Sequence, residues 1–220
     1  MDEYISHFLT TEERNAINHQ FEDDSWCRNC QVLWTGIPRD HAQRWADMHD
    51  MQTLTTAMGP LMAKESRYCL SAQKSKKKWS LYIKGASALF AWHICEGEEV
   101  TVLTPPPPCR FHPSGFTSYQ VIEEPILKGG IEGKHVSNIM LAHPDVKGAE
   151  DFRYQIWPVD KTSSWTAKFK STHSGTRCWR EVKAIPLAHG ANGQNLLCVF
   201  ESKLIGTMLN SLCFSLPSAA

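Results

Sequence analysis

The sequence predicts an α+β fold, in which N-terminal helices pack on a mostly antiparallel C-terminal sheet. Apolar residues at helical spacing dominate residues 1–98, whereas short β-like runs separated by turn residues dominate residues 99–203. Helices followed by strands are typical of α+β folds rather than of alternating α/β folds. We therefore expect one domain over residues 1–220, with residues 204–220 forming a tail or a short helix.

The helical part contains several start signals. Thr10 or Thr11 could cap the first helix, and Pro38 suits the first turn of the second. Small residues at 85–88 indicate that the longest helix packs closely against a neighbour. The predicted helical segments are residues 1–24, a segment opened by Pro38, residues 54–62 and residues 80–95.

The second part reads mostly as short strands. Four prolines at 105–108 cannot continue a sheet, so we expect them to form a stiff, extended surface linker. The predicted strands are residues 100–103, 119–122, 136–142, 153–157, 165–169, 179–185 and 196–200.

Composition bounds the function only broadly. The 23 basic and 23 acidic residues balance, so any attraction to nucleic acid must be local. We expect no membrane partner, because no apolar run approaches the roughly 20 residues of a membrane span. The acidic, amphipathic N-terminus is unlike a secretory signal, which predicts an intracellular protein, cytoplasmic or nuclear. We expect its eight cysteines to be free or metal-bound.

Two short cysteine motifs offer ligands for zinc or another divalent metal. Cys27 and Cys30 form a CxxC pair, and Cys109 with His112 forms a CxxH pair. Three thiolates and one imidazole are a legitimate tetrahedral zinc set. The alternative is two unrelated pairs of partly buried residues, because a long stretch of chain separates the motifs and a lone CxxC is often a chance match.

The loops at 109–160 predict the functional site, because polar side chains crowd the ends of the predicted strands there. Histidine and carboxylate groups suit proton transfer near neutral pH, and arginine suits a phosphate or a carboxylate. The predicted catalytic residues are His112, Glu123, Glu124, His143 and Asp145. The predicted substrate-binding residues are Lys84, Arg110, Ser114 and Gln120. The alternative is that these are solvated strand ends and turns.

These residues predict an enzyme that acts on a phosphate-containing or nucleotide-like substrate by hydrolysis or group transfer. A second hypothesis rests on Glu181 and Lys183, which form a Glu-x-Lys pattern in a predicted strand. With Asp145 or Asp160 as the first acid, the pattern resembles restriction-endonuclease-like nucleases. That resemblance implies a metal-dependent nuclease, in which the carboxylates hold a divalent metal.

A third hypothesis is a binding module for nucleic acid or protein that uses the basic loop at 74–84. Lys74, Lys76, Lys77 and Lys78 could contact phosphates, and Trp79 and Tyr82 could stack on bases. The alternative is a solvated loop before a helix.

Overall fold

The computed structural model describes residues 1–23 and 25–169, in which helices surround a four-stranded sheet. The strands are β1 (Val32–Trp34), β2 (Glu99–Leu103), β3 (Asn138–Ala142) and β4 (Tyr154–Trp157). The α-helices are α1 (Asp2–Ser6), α2 (Thr11–Phe21), α3 (Arg39–Met48), α4 (Leu54–Ala57), α5 (Lys76–Ile94), α6 (Glu124–Leu127) and α7 (Thr162–Phe169). A 3₁₀ turn covers Gly59–Leu61, and a π-helix covers Tyr119–Glu123 directly before α6.

The α+β class is confirmed, but the prediction of a mostly antiparallel sheet is wrong. The strands lie in the order β1-β2-β3-β4; β1, β2 and β3 run parallel, and only β4 is antiparallel to its neighbour. Strand β1 was not predicted from the sequence, because three residues are too few to show a strand period. Since β1 lies among the helices, the first half of the chain contains a β-α-β connection rather than helices alone.

Two predicted strands are helices. Residues 119–122 form the π-helix, where the Thr117 hydroxyl accepts the Gln120 amide as a helix cap would. Residues 165–169 belong to α7, in which Trp165 and Phe169 stand four residues apart and both contact Phe152. Strands predicted near 100–103, 136–142 and 153–157 are confirmed as β2, β3 and β4. The segments predicted at 179–185, 196–200 and 204–220 lie outside the described residues.

Both faces of the sheet carry apolar side chains, as a parallel sheet requires. Leu33, Val102 and Leu141 are paired across the strands and join the core cluster that includes α5. Residues one position away point to the opposite face. There Val32 and Leu103 join a second cluster with Trp45 of α3. The sheet is thus covered by α5 on one face and by α3 on the other.

The predicted helix starts were partly correct. Thr10 caps α2 in a capping box, in which its hydroxyl accepts the Glu13 amide and the Glu13 carboxylate accepts the Thr10 amide. Helix α5 begins at Lys76, capped by Ser75, rather than at the predicted residue 80. The four prolines at 105–108 do not form the predicted extended surface linker, because Pro106 is buried and residues 107–108 form a turn.

Gly85 allows the close packing that its run of small residues predicted. A methyl group placed on Gly85 would lie 2.5 Å from Cγ of Leu9 and 2.9 Å from Cβ of Phe8. Leu9 is buried and cannot swing into solvent. Glycine normally costs a helix about 1 kcal/mol relative to alanine, so its presence here reflects that contact.

Gly85→Ala should therefore destabilise the fold by about 1–3 kcal/mol, because overpacking outweighs the gain in helix propensity. Urea unfolding measures the free energy difference. Ser80→Ala, at an exposed position of the same helix, is the matched control and should be neutral or slightly stabilising. A stabilised Gly85→Ala variant would show that the contact with Leu9 is not tight.

Candidate functional site

A cavity of about 420 Å³ opens at the carboxyl end of β1, between α5 and the π-helix. The carboxyl ends of parallel strands are the usual place for a ligand in an open sheet. Its apolar lining residues are Leu33, Trp34, Ile37, Leu54, Met62, Trp79, Ile83 and Tyr119. Its other lining residues are Thr35, Gly36, Arg39, Thr55, Ser87, Thr117, Ser118 and Glu123.

Helix α5 lines one side of the cavity with three residues at helical spacing. Trp79, Ile83 and Ser87 follow one another at four-residue intervals, so they share one face of α5. Glu123 reaches the same space from the last position of the π-helix. Single π-turns are frequent at functional sites.

A hydrogen bond between two buried side chains, Ser87 of α5 and Glu123 of the π-helix, joins these two walls of the cavity. The Ser87 hydroxyl donates to Oε1 of Glu123 at 2.7 Å, and Glu123 is only 6% exposed. Burial raises the pKa of Glu123 from 4.5 to about 7, and the Ser87 hydrogen bond opposes that rise. The carboxyl group can therefore gain or lose a proton near neutral pH.

The loop after β1 supplies the opposite wall. Gly36 has a φ of 76°, which lets the chain turn sharply between β1 and α3. Nη2 of Arg39 donates to Oγ1 of Thr55 at 3.1 Å. Because Thr55 is neutral, this contact holds the guanidinium at the cavity without cancelling its charge.

Three of the predicted site residues lie together beside this cavity. Gln120 accepts from the Thr117 hydroxyl at 2.9 Å and donates to the backbone carbonyl of His112 at 3.1 Å. Nδ1 of His112 lies 2.7 Å from Oγ of Ser114. Thr117 itself lines the cavity and contacts Thr35 at 3.2 Å. The segment 112–120 thus supports the cavity wall and lines the cavity with Thr117, Ser118 and Tyr119.

Arg110 is turned toward another partner. Its guanidinium donates to Oδ2 of Asp160 at 3.1 Å and also bonds Thr162 at the start of α7. This ion pair fixes the loop after the prolines to α7. The charge predicted to meet the substrate is thus engaged with a carboxylate.

His143 and Asp145 lie at the end of β3, away from Glu123. His143 is fully buried, with Nδ1 at 3.0 Å from the carbonyl of Thr104 and Nε2 at 3.0 Å from the Tyr154 hydroxyl. Asp145 is exposed, with Oδ1 at 2.7 Å from Nδ1 of His41. These contacts tie the strand end to β4 and to α3.

Glu124 and Lys84 do not line the cavity. Glu124 pairs with Lys128 one turn later, at 2.6 Å. Lys84 follows Ile83 on α5 and is half-buried off the cavity-facing stripe. The structure therefore separates Glu123 from its neighbour Glu124, which the sequence could not do.

The predicted metal ligands are not assembled. Among the described residues, no group of three or more His, Cys, Asp or Glu side chains could hold a metal ion. Cys27, Cys30, Cys69 and Cys95 are free, whereas Cys109 is disulfide-bonded. The prediction that the cysteines are free or metal-bound is therefore wrong for Cys109.

The basic segment differs from the predicted loop. Lys76, Lys77 and Lys78 are exposed in the first turn of α5, and Lys74 pairs with Glu13. Tyr82 is 1% exposed, which leaves no ring face for a base. Glu181 and Lys183, on which the nuclease hypothesis rests, lie outside the described residues.

Comparisons with protein families, curated proteins and solved structures found no match to this chain. Within residues 1–23 and 25–169, no helix combines the length and the apolar character that crossing a bilayer requires.

Sequence reasoning missed Thr35, Arg39 and Ser87. Thr35 and Arg39 follow a strand that was itself missed, so their place at a sheet edge could not be seen. Ser87 was read only as one of the small residues in α5. A serine among buried helix positions, four residues after Ile83, was the available signal.

Folding stability should depend on pH through Glu123. The folded-state pKa lies above the ordinary value of 4.5, so the folded state binds this proton more tightly. The stabilising contribution is complete below about pH 4.5 and disappears as the pH rises through about 7. The loss is about 3 kcal/mol at most, at about 1.4 kcal/mol per pKa unit.

Glu123→Gln removes this titration and keeps the shape of the side chain. Urea unfolding at pH 5 and pH 8 should show the wild type losing more stability than the variant over that interval. Glu124→Gln, which alters the neighbouring half-buried carboxylate that pairs with Lys128, should keep the wild-type dependence. Parallel pH profiles for wild type and Glu123→Gln would contradict the assignment.

Proposed function

We propose that this protein is an enzyme that acts on a phosphate-containing or nucleotide-like substrate, by hydrolysis or group transfer, in the cavity at the carboxyl end of β1. The observation that carries the proposal is the buried carboxyl of Glu123, hydrogen-bonded to Ser87 inside that cavity. A buried ionisable group in a concave pocket, close to a hydroxyl and a cation, is the arrangement that active sites share.

The lining favours a substrate with an anionic end and a ring. Arg39 offers a guanidinium whose hydrogen-bond partner is neutral, and arginine is well suited to phosphate groups. The hydroxyl oxygens of Thr35 and Thr117 lie on the same side and can accept hydrogen bonds, because their protons are donated to Thr117 and Gln120 respectively. Trp34 and Trp79 supply aromatic surface that a heterocyclic ring could contact. Arg39 thus takes the role predicted for Arg110.

Glu123 is placed to move a proton. With a pKa of about 7, its carboxylate can accept a proton from an attacking water or hydroxyl and return it to the leaving group. The Ser87 hydroxyl holds Oε1 of Glu123 in position and orients the carboxylate toward the cavity. Arg39 would stabilise negative charge that develops on the transferred group.

An activity screen tests this proposal. Purified protein is incubated with nucleoside mono-, di- and triphosphates and with p-nitrophenyl phosphate, with and without magnesium, and products are followed by chromatography. We expect turnover of at least one compound. Glu123→Gln should reduce kcat/KM by about 100-fold or more, because it removes the proton-transfer group.

The matched control is Glu124→Gln, because the Glu124 carboxylate is engaged with Lys128 outside the cavity. It should retain full activity, whereas Arg39→Ala should lower kcat as well as raise KM, because Arg39 is proposed both to bind the anionic group and to stabilise its developing charge. Equal loss in Glu123→Gln and Glu124→Gln would contradict the proposed role of Glu123. Absence of turnover and of ligand-induced thermal stabilisation across the panel would overturn the substrate class.

A second candidate function is phosphate-backbone binding by α5. Lys76, Lys77 and Lys78 fill the first turn of the helix, which holds no acidic residue. Cations at a helix N-terminus oppose the helix dipole, so three of them there favour a role in binding anions.

Replacing these three lysines by glutamine should weaken binding to single-stranded DNA, measured by fluorescence anisotropy, about equally for every sequence. The slope of the logarithm of the binding constant against that of the salt concentration should also fall, because fewer counterions are released. Arg39→Ala, at the cavity, is the control and should bind like the wild type. Sequence-selective binding that resists salt would contradict this second candidate.

A further inference from the structure

The turn that carries Cys27 and Cys30 lies at the amino end of the sheet, just before β1. Both thiols donate to the same acceptor, the backbone carbonyl of Arg28, at 3.7 Å and 3.6 Å from their sulfur atoms. Burial, and after it the neighbouring Cys27 side chain, raise the pKa of the Cys30 thiol to about 11. Both cysteines are free. The two sulfur atoms are therefore neighbours, without any further ligand being needed to bring them together.

Three contacts hold the backbone of this turn in place. Asn29 takes a φ of 65°, and its Oδ1 accepts the amides of Glu98 and Glu99 at 2.7 Å and 3.0 Å, at the start of β2. A methyl group on Gly97 would lie 2.5 Å from that oxygen, so the absence of a side chain there permits the contact. The buried Gln31 donates from Nε2 to the carbonyl of Cys27 at 2.6 Å.

We propose that Cys27 and Cys30 are a redox-active dithiol, which exchanges with small-molecule disulfides and closes reversibly to a Cys27–Cys30 disulfide. Cys27 is exposed and Cys30 is half-buried, so an incoming disulfide reaches Cys27 first. Cys27 is the attacking cysteine and Cys30 the resolving cysteine. This site lies at the opposite end of β1 from the cavity, so the inference is independent of the proposed enzymatic function.

The exchange is balanced with glutathione disulfide as the oxidant. The Cys27 thiolate attacks one sulfur of the oxidant, forms a mixed disulfide and releases one glutathione thiolate. Cys30 then gives its proton to solvent, and its sulfur attacks that of Cys27 and displaces the second glutathione. One protein dithiol and one glutathione disulfide thus become one protein disulfide and two glutathione molecules.

In the test, the intact, folded chain is equilibrated in glutathione buffers of increasing oxidised fraction, and the reaction is quenched with acid. Mass spectrometry of the peptides then identifies which cysteines are reduced, disulfide-bonded or joined to glutathione. We expect the peptide that contains Cys27 and Cys30 to lose two hydrogens in one transition, without retaining glutathione. Excess reduced glutathione should restore it. Cys69 and Cys95 are buried and should stay reduced, which reports that the chain remains folded.

Two variants assign the roles. Cys30→Ser should trap glutathione on Cys27 as a stable mixed disulfide, because the resolving thiol is absent. Cys27→Ser should lose most of the reaction, because Cys30 is less accessible. Stable glutathione on Cys27 in the wild type would overturn the proposal, as would a Cys27–Cys30 pair that stays reduced in fully oxidised buffer. Equal trapping in both variants would overturn the assignment of attacking and resolving cysteines.

Discussion

Parallel pairing of β1 with β2 is the constraint on which the rest of the described structure depends. Two parallel strands cannot be joined by a tight turn, so the chain between Trp34 and Glu99 must return to the other end of the sheet. That return path supplies α3, α4 and α5. It lays α5 on one face and α3 on the other, and it leaves the loop after β1 beside the π-helix. The cavity is the space that remains where these elements meet.

The sequence allowed the helices to be predicted better than the sheet. Thr10, Pro38 and the long apolar side of α5 carry local signals, and local signals are what a single sequence shows best. The direction of strand pairing depends on contacts between distant parts of the chain. The parallel pair of β1 and β2 could not be predicted, because the three residues of β1 are too few to show a strand period. Residues 119–122 failed for a related reason, because a few alternating apolar positions are compatible with a strand or with a buried helix.

Part of the candidate site was predictable from chemistry, and part required geometry. Glu123 was chosen with Glu124 because carboxylates suit proton transfer, but only packing shows that one is buried against Ser87 and the other paired with Lys128. Arg39 could not be chosen over Arg110, since the difference between them is the partner that each one meets. Residue type indicates what a side chain can do, whereas its neighbours decide whether it is free to do it.

The hydrogen bonds of His143 have a consequence for the sheet itself. The Thr104 carbonyl can only accept, so Nδ1 of His143 carries a proton, and Nε2 on the other side of the ring is hydrogen-bonded to the Tyr154 hydroxyl at 3.0 Å. This chain of side-chain bonds crosses from the end of β2, through β3, to β4. It adds to the backbone ladder just after the last residues of β2 and β3, where Tyr154 begins β4. The carboxyl edge is therefore held together on the side of β4, whereas the cavity lies beside β1, which is the outermost strand among the residues that the structure describes.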